Sequence, residues 1–280
     1  MLRGYGSGSQ TVTRFENLKW RVFSKNDDGS IDLISCIDSE NELDSCKVGL
    51  NGSTGYNNGV LILNYICRKN YTNVQLQSKI KVRNINIEDI EKHFNPIAIN
   101  IRDSFTNDGI QYDKPATYTG TRNYPILYNY ENLNRLGTSE EYYENFVNRT
   151  YETTSTDGYT LRQKAYRLTA NDNTPIPTPD EENSINNYIN DSKVYDMLFG
   201  VSYDYWLSSR TICLNTNSVD FGLRKVKNNN LLWNKVFDDS GNAGVDSNNL
   251  LFVRPIITLN SSVKIQTHSG TENDMHEIIY

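Results

Sequence analysis

The segment YWLSSR at residues 205–210 is followed by FGLR at 221–224 and by RPIITL at 254–259. Each is a short apolar or aromatic run that carries an arginine, and polar stretches rich in Asn, Asp and Gly separate them. Such spacing is typical of short strands joined by variable loops. The pattern predicts strands at 203–212, 218–226, 230–237 and 250–259.

Three arginines lie within these runs, where an unpaired charge would be costly. We expect each of them to bond a carboxylate or loop carbonyls, in a buried polar network that ties the loops to the sheet. A ligand-binding arginine cluster is the alternative interpretation. The residues assigned to this structural network are Arg210, Arg224, Arg254 and Trp206.

Upstream of these runs, the sequence predicts a hairpin and two helices. Two alternating apolar runs flank the turn sequence NDDG, which predicts a β-hairpin at 19–35. Asn57 or Asn58 is expected to cap a helix that continues through 60–69. Its buried stripe should contain Val60, Leu63, Cys67 and the neighbouring Ile66. A second, shorter helix should follow the N-cap Asn86, with Ile87, Ile90 and Phe94 facing inward.

Further elements are predicted in the middle of the chain. They are a helix at 139–147, a strand at 159–168, and a short helix that is capped by Ser192 and closed by Gly200. With 280 residues and no shift in composition, the chain is long enough for one large domain. We divide it into a flexible or assembly-contact leader at 1–17, a single domain at 18–265 and a tail at 266–280.

Composition and charge narrow the range of functions. The chain contains 37 Asn, 19 Tyr and 9 Phe, and its net charge is −6. Tyrosine and asparagine supply amphipathic contacts and hydrogen bonds at recognition surfaces, although an AT-rich genome would favour both residues as well. The negative charge argues against nucleic-acid binding, and the basic segment 79–83 is expected to be a solvated strand face. No apolar run is long enough to insert into a membrane.

The clearest candidate contact surface lies in the tyrosine-rich stretch 95–135, because long irregular loops in compact domains are usually functional or disordered. Buried tyrosine rings with wet hydroxyl groups could keep such a loop ordered. The predicted surface also includes three residues from the C-terminal region. Its residues are Tyr112, Tyr118, Tyr124, Tyr128, Tyr130, Asn228, Asn229 and Trp233.

Metal and catalytic patterns are weak. The four cysteines lack paired zinc-type spacing, and they read either as buried thiols or as one Cys36–Cys46 disulfide with two thiols. The loop 238–249 is rich in oxygen ligands but lacks the EF-hand pattern, so calcium binding and a plain solvated loop both remain open. There is no nucleophile elbow, Walker loop or dinucleotide fingerprint. We therefore predict no enzymatic activity and no cofactor.

Taken in order, WRV at 20–22, GYNNG at 55–59, IEDI at 87–90 and the three C-terminal segments resemble a bacterial and phage-borne domain family. That family is similar in fold to C-type lectins and to the formylglycine-generating-enzyme group. The resemblance spans roughly 18–265 and implies an α+β, C-type-lectin-like domain. It would consist of a twisted, mainly antiparallel sheet, flanking helices and long loops on one side.

The same resemblance implies a place among virion genes or, for members with a pilin-like N-terminus, on bacterial surfaces. The calcium-dependent lectin motif is incomplete here, because WNK stands at 233–235. The oxidase chemistry needs a cysteine pair in the C-terminal part, where only Cys213 lies.

We predict a non-catalytic structural or adhesive module located in the virion as a head or tail decoration or fibre protein. It should assemble as an oligomer and dock on partner subunits, or on a host cell-surface protein or glycan. Three alternatives stay open: a carbohydrate-active or protein-modifying enzyme on the same scaffold, a pilus or extracellular cell-surface adhesin, and a retroelement-diversified receptor-binding protein.

Overall fold

The helices and strands come from a computed structural model of the chain. It describes residues 2–3, 19–36, 47–72, 78–100, 110–112, 161–163, 189–214, 219–238, 250–269, 271, 274 and 276–279. The helices are α1 (Gly52–Tyr71), α2 (Ile87–Glu91) and α3 (Ser192–Phe199), and residues 96–100 are also helical.

The first seven strands are β1 (Leu2–Arg3), β2 (Lys19–Lys25), β3 (Ile31–Ser35), β4 (Lys47–Gly49), β5 (Ile80–Asn84), β6 (Ile110–Tyr112) and β7 (Leu161–Gln163). The others are β8 (Tyr205–Leu214), β9 (Val219–Lys227), β10 (Asn230–Asp238), β11 (Leu250–Phe252), β12 (Pro255–Leu259), β13 (Lys264–Gln266) and β14 (His276–Ile279).

The strands form two main sheets and one small one. The larger has the order β13-β14-β1-β2-β3-β12-β5, the second has the order β10-β9-β8-β11-β4, and β6 pairs with β7. Only the β1–β14 and β8–β11 pairings are parallel among the strands described. The protein is therefore α+β with mainly antiparallel pairing, as the sequence predicted.

The predicted hairpin at 19–35 is confirmed as β2 and β3. Gly29 adopts a left-handed φ of 80°, which an L-side chain rarely adopts, so the turn depends on glycine at this position. The C-terminal strands also lie close to their predicted positions. The run 250–259, however, is two strands, because the chain crosses from the second sheet to the larger one at Val253 and Arg254.

Helix α1 begins earlier than predicted. Its N-cap is Asn51, whose side chain accepts a hydrogen bond from Gly52 N at 2.8 Å, so the assignment of Asn57 or Asn58 as the cap is wrong. The helix packs closely on β9 at Gly59. A Cβ on Gly59 would lie 2.6 Å from Leu223 Cδ2. The predicted buried stripe of Val60, Leu63 and Cys67 is confirmed.

The two shorter helices begin at side-chain caps. Asn86 caps α2 in a capping box with Asp89, as predicted for the cap. Helix α3 is capped by Asp191 and not by Ser192, because the Asp191 carboxylate accepts bonds from Lys193 N and Val194 N. Gly200 ends α3, as predicted.

Alternate residues of the strands feed two buried apolar clusters on opposite faces of the sheets. Along β12, Ile257 packs in the cluster that includes α1, whereas Ile256 packs in the cluster that includes α2 and α3. Helix α1 therefore covers one face, and α2 and α3 cover parts of the other. None of the described helices has the length and apolarity needed to cross a membrane.

The large sheet extends beyond the predicted domain limits. Strand β1 belongs to the segment 1–17 and β14 to the segment 266–280, yet the two strands pair with each other within this sheet. Backbone pairing needs little apolar patterning in such short strands, so no pattern in these segments predicts either strand. The predicted leader and tail each contribute a strand to the domain.

Candidate functional site

Strand β8 links the two main sheets at the YWLSSR segment. Its pairing with β9 shifts register between Trp206 and Arg210. Within this irregular stretch, Ser208 N donates to Ile85 O at 2.8 Å, and Ser209 Oγ accepts from Ile87 N at 2.7 Å. The two serines therefore bond the chain that leads from β5 into α2.

A buried asparagine pair holds the centre of this junction. Asn84 is fully buried, its Nδ2 donates to Trp206 O at 2.8 Å, and its Oδ1 accepts from Arg254 N at 2.7 Å. Asn64 on α1 accepts from Asn84 N at 2.9 Å and from Ser208 Oγ at 3.2 Å. One polar centre thus connects α1, β5, β8 and the crossover before β12.

Arg254 anchors the C-terminal end of α3. Its guanidinium donates to Leu198 O at 2.9 Å and to Met197 O, and it lies over the Tyr205 ring at 4.9 Å. A cation is favoured at the carbonyl end of a helix. Tyr205 also donates to Leu198 O at 2.7 Å, and burial raises the pKa of this phenol to about 12, although Arg254 opposes that effect. Arg254 therefore bonds backbone carbonyls, but these belong to the last turn of α3 and not to a loop, as the sequence had led us to expect.

The other three members of the predicted network differ in how much of their surroundings the structure describes. Trp206 is fully buried and its Nε1 donates to Val48 O at 2.8 Å, so it belongs to the framework. Arg224 is also buried, opposite Trp233 in the β9–β10 pair. Arg210 pairs with Leu223 through its backbone, and its side chain lies outside the described part.

The predicted contact surface is described only in part. Asn228 and Asn229 form the exposed β9–β10 turn with left-handed φ values of 50° and 60°, which asparagine tolerates better than most residues. Asp204 Oδ1 accepts from Asn228 N at 3.0 Å. Tyr112 lies in β6 and Trp233 in β10. Outside the described residues are Tyr118, Tyr124, Tyr128, Tyr130, the predicted helix 139–147, Cys46 and all of the predicted loop 238–249 except Asp238.

The WNK segment at 233–235 contains a buried lysine–asparagine contact. Lys225 Nζ donates to Asn234 Oδ1 at 2.9 Å, and both residues are buried. The amide oxygen that a lectin-like calcium site would use therefore already contacts an ammonium group. Among the described residues, no three His, Cys, Asp or Glu side chains are grouped closely enough to hold a metal ion.

The basic segment 79–83 is only partly a solvated face. Lys81 is exposed, but Arg83 is buried and binds Asp89 through two bonds, at 2.5 Å and 2.7 Å. The interpretation of Arg83 as solvated is wrong, because α2 covers the strand at that point. Lys92 Nζ lies 3.8 Å from Asp89 and 3.7 Å from Asp32, which extends this charged cluster.

The chain matches no known family model, and no curated protein or solved structure is significantly similar to it.

Proposed function

We propose that this chain is a non-catalytic structural or adhesive module on a C-type-lectin-like scaffold. In this proposal it is a virion component, a head or tail decoration or fibre protein, that docks on partner subunits or on the host surface through its loops. The observation that carries the proposal is the structural role of the Trp206 and Arg254 side chains. Both side chains donate to backbone carbonyls and are fully or almost fully buried.

Groups buried in this way hold the framework in place and do not reach a substrate. A catalytic guanidinium must contact a reacting atom, whereas Arg254 is 1% exposed and bonds the end of α3. The two serines of β8 also bond backbone that leads into a helix. The most distinctive C-terminal residues therefore favour a rigid support for displayed segments.

One long segment of the chain has its two ends, at residues 94–95 and 189–190, held side by side on the framework. Phe94 pairs with Ile189, and Asn95 Nδ2 donates to Asn190 Oδ1 at 3.2 Å. The chain between these points contains the tyrosines that the sequence marks as a contact surface. A segment whose two ends are held side by side can carry a docking surface without disturbing the core.

Immunogold electron microscopy tests the location. An antibody raised against the purified chain should label particles released from the producing culture at a defined position on the head or tail. Labelling confined to cell-surface filaments would favour the adhesin alternative, and the absence of label from purified particles would contradict a virion location.

A second experiment tests docking by the tyrosine-rich segment. A variant with Tyr118, Tyr124, Tyr128 and Tyr130 changed to Ser should lose incorporation into particles or binding to host cells. The matched control is Tyr65→Ser, at an exposed tyrosine on α1 that is 47% accessible. Equal loss in both variants, or full retention in the fourfold variant, would contradict docking through this segment.

A further inference from the structure

A polar cleft lies at one end of the large sheet, between the β2–β3 turn, the start of β5 and the end of β12. The β2–β3 turn lies close to the turn that follows β12, since a Cβ placed on Gly29 would lie 3.7 Å from Ser261 Cβ. At its base, Asn260 N donates to Lys79 O at 2.9 Å. The cleft has a volume of about 250 Å³ and is also lined by Asp28, Lys81 and Thr258.

Of the helices in the described part of the chain, α2 covers this face of β5 at Arg83 but leaves Lys81 exposed. Lys81 and Arg83 point to the same face of β5, since strand residues two apart share a face. Helix α2 covers Arg83 through the Asp89 pair, but Lys81 is exposed. Thr258 lies opposite Lys81 in the β12–β5 pair and is half-buried.

One wall of the cleft offers hydrogen-bond acceptors. Asp28 Oδ1 accepts from Ser30 Oγ at 2.6 Å and from Ser30 N at 2.9 Å, and these bonds lower the pKa of the Asp28 carboxyl. Asp28 is therefore ionised at neutral pH, and its Oδ2 contacts no hydrogen-bond donor among the described residues. Thr258 Oγ1 donates its proton to Asp32 Oδ1 at 2.6 Å, so its lone pairs are available to accept.

The opposite wall offers positive charge. Lys79 is half-buried, and its ammonium group has no ion-pair or hydrogen-bond partner within the described part of the chain. Lys81 adds a second ammonium group. Among the described residues that line the cleft, the two lysines outnumber the single carboxylate, that of Asp28, on a chain whose net charge is −6.

These groups select the chemistry of a ligand. Among the described lining residues, Ile80 is the one apolar residue and is largely buried, so an apolar ligand would find little contact surface there. Lysines attract an anion, while the free oxygens of Asp28 and Thr258 need a hydroxyl donor. The volume lies below the ~300–1,000 Å³ of sites for drug-sized ligands, which limits the ligand to about one sugar ring or a short polyol.

We propose that this cleft binds a small anionic polyol, a hydroxylated ring or carbon chain that carries one phosphate or carboxylate. The anionic group contacts Lys79 and Lys81, and a hydroxyl group donates to Asp28. This site uses none of the loop residues of the proposed docking surface, so either proposal can fail without the other.

Titration followed by ¹H–¹⁵N NMR tests the site with four probes: glycerol 1-phosphate, D-glucuronate, glycerol and inorganic phosphate. The two anionic polyols should shift the amide signals of residues 28–30, 79–81 and 260–262 in a saturable way at millimolar concentrations. The tighter of the two identifies phosphate or carboxylate as the preferred anion. Glycerol and inorganic phosphate should each bind more weakly, because each supplies only half of the recognised chemistry.

Charge-neutral variants separate the contributions. Lys79→Gln should weaken binding of both anionic polyols about tenfold, the usual effect of losing one charged hydrogen bond. Lys193→Gln is the matched control, because Lys193 is exposed on α3 outside the cleft lining. Asp28→Asn should weaken the polyols but not inorganic phosphate. Melting temperatures measured beside each titration show that the variants remain folded, and Lys81→Gln replaces any variant that does not.

Three results would overturn the proposal. The first is no saturable shift with either anionic polyol. The second is inorganic phosphate binding as tightly as glycerol 1-phosphate, which would show a site for anions without hydroxyl recognition. The third is an equal loss of affinity in the Lys79→Gln and Lys193→Gln proteins, which would show only a general effect of charge.

Discussion

Two buried arginines anchor the helices on the same side of the protein, and they do so in different ways. Arg83 binds a carboxylate in the first turn of α2, whereas Arg254 binds carbonyls at the last turn of α3. The Arg83–Asp89 contact is a buried ion pair, whereas Arg254 is a single charge that is stabilised by backbone carbonyl dipoles. Loss of Arg83 would leave a buried anion, whereas loss of Arg254 leaves neutral carbonyls, so the two sites should differ in energetic cost.

The largest effect is expected from Arg83→Met. Removing one partner of a buried ion pair typically costs about 3–5 kcal/mol, because the remaining charge stays buried. Asp89 also accepts from Asn86 N at 2.9 Å, so it is held in place and cannot simply turn to solvent. Urea denaturation should show this loss in the free energy of unfolding.

The same strand offers a control for that variant. Lys81→Met, two residues earlier on the exposed part of the face, should change the free energy of unfolding by less than about 0.5 kcal/mol. A double variant, Arg83→Met with Asp89→Leu, should recover part of the loss. If the two single variants at 81 and 83 behaved alike, the ion pair would not stabilise α2.

A smaller loss is expected from Arg254→Met. The change leaves the carbonyls of Met197 and Leu198 without this donor and removes the cation over Tyr205. A cost of about 2–3 kcal/mol in the free energy of unfolding follows from the loss of hydrogen bonds to a charged group. Amide hydrogen exchange should show the effect concentrated in α3.

Tyr205→Phe is the companion variant, because it removes only the hydroxyl that donates to Leu198 O. It should cost about 1 kcal/mol. A loss from Arg254→Met as large as that from Arg83→Met would show that neutral dipoles and a carboxylate stabilise these arginines equally.

The arginines also show how far the sequence can predict this fold. Apolar alternation located the hairpin and the C-terminal strands, and apolar residues at helical spacing located the inward face of α1. These patterns are local in the sequence. Alternation in 79–83 identified which face Arg83 occupies but not that α2 covers it, since coverage depends on a helix packed from elsewhere in the chain. Lys81 shares that face and is exposed, so no local pattern could separate the two.

The polar centre was harder still to predict. Asn84 and Asn64 are separated by 20 positions, and Asn84 contacts Trp206 at a separation of 122. In a chain with 37 asparagines, nothing local marks these two as buried. For Arg254, the sequence indicated that an arginine between apolar runs must find a partner, but it did not indicate that a helix and not a loop supplies the carbonyls.

A smaller effect is expected at the β9–β10 turn, where neither arginine takes part. Asn229→Ala should destabilise the protein by about 1 kcal/mol, because a side chain with a Cβ at left-handed φ is disfavoured and alanine lacks the amide that eases this conformation. Asn229→Gly should leave stability nearly unchanged. Thermal melting of the two variants checks this, and equal melting temperatures would show that the asparagine is present for contact and not for backbone geometry.

The smallest effect is a pH dependence beside the Arg83 cluster. Burial, with a further contribution from Lys92, lowers the pKa of His93 below 6.5, although Asp191 and Asp89 oppose the shift. The ring packs on Phe23 at 4.8 Å, so folding favours the neutral form. Above pH 6.5 the histidine is neutral in both states. As the pH falls from 6.5 to the lower pKa of the folded protein, the unfolded chain takes up the proton first and stability decreases.

His93→Phe keeps the ring contact with Phe23 and removes the titrating group, so its melting temperature should fall less than that of the unchanged protein between pH 7 and pH 5. Asp28 and Asp274 do not interfere, because their pKa values are lowered from 3.8 and they titrate at more acidic pH. Parallel melting curves for the two proteins across this range would mean that His93 is solvated well enough to accept a proton in the folded state. The charged cluster of Arg83, Asp89 and Lys92 would then tolerate another positive charge at its edge.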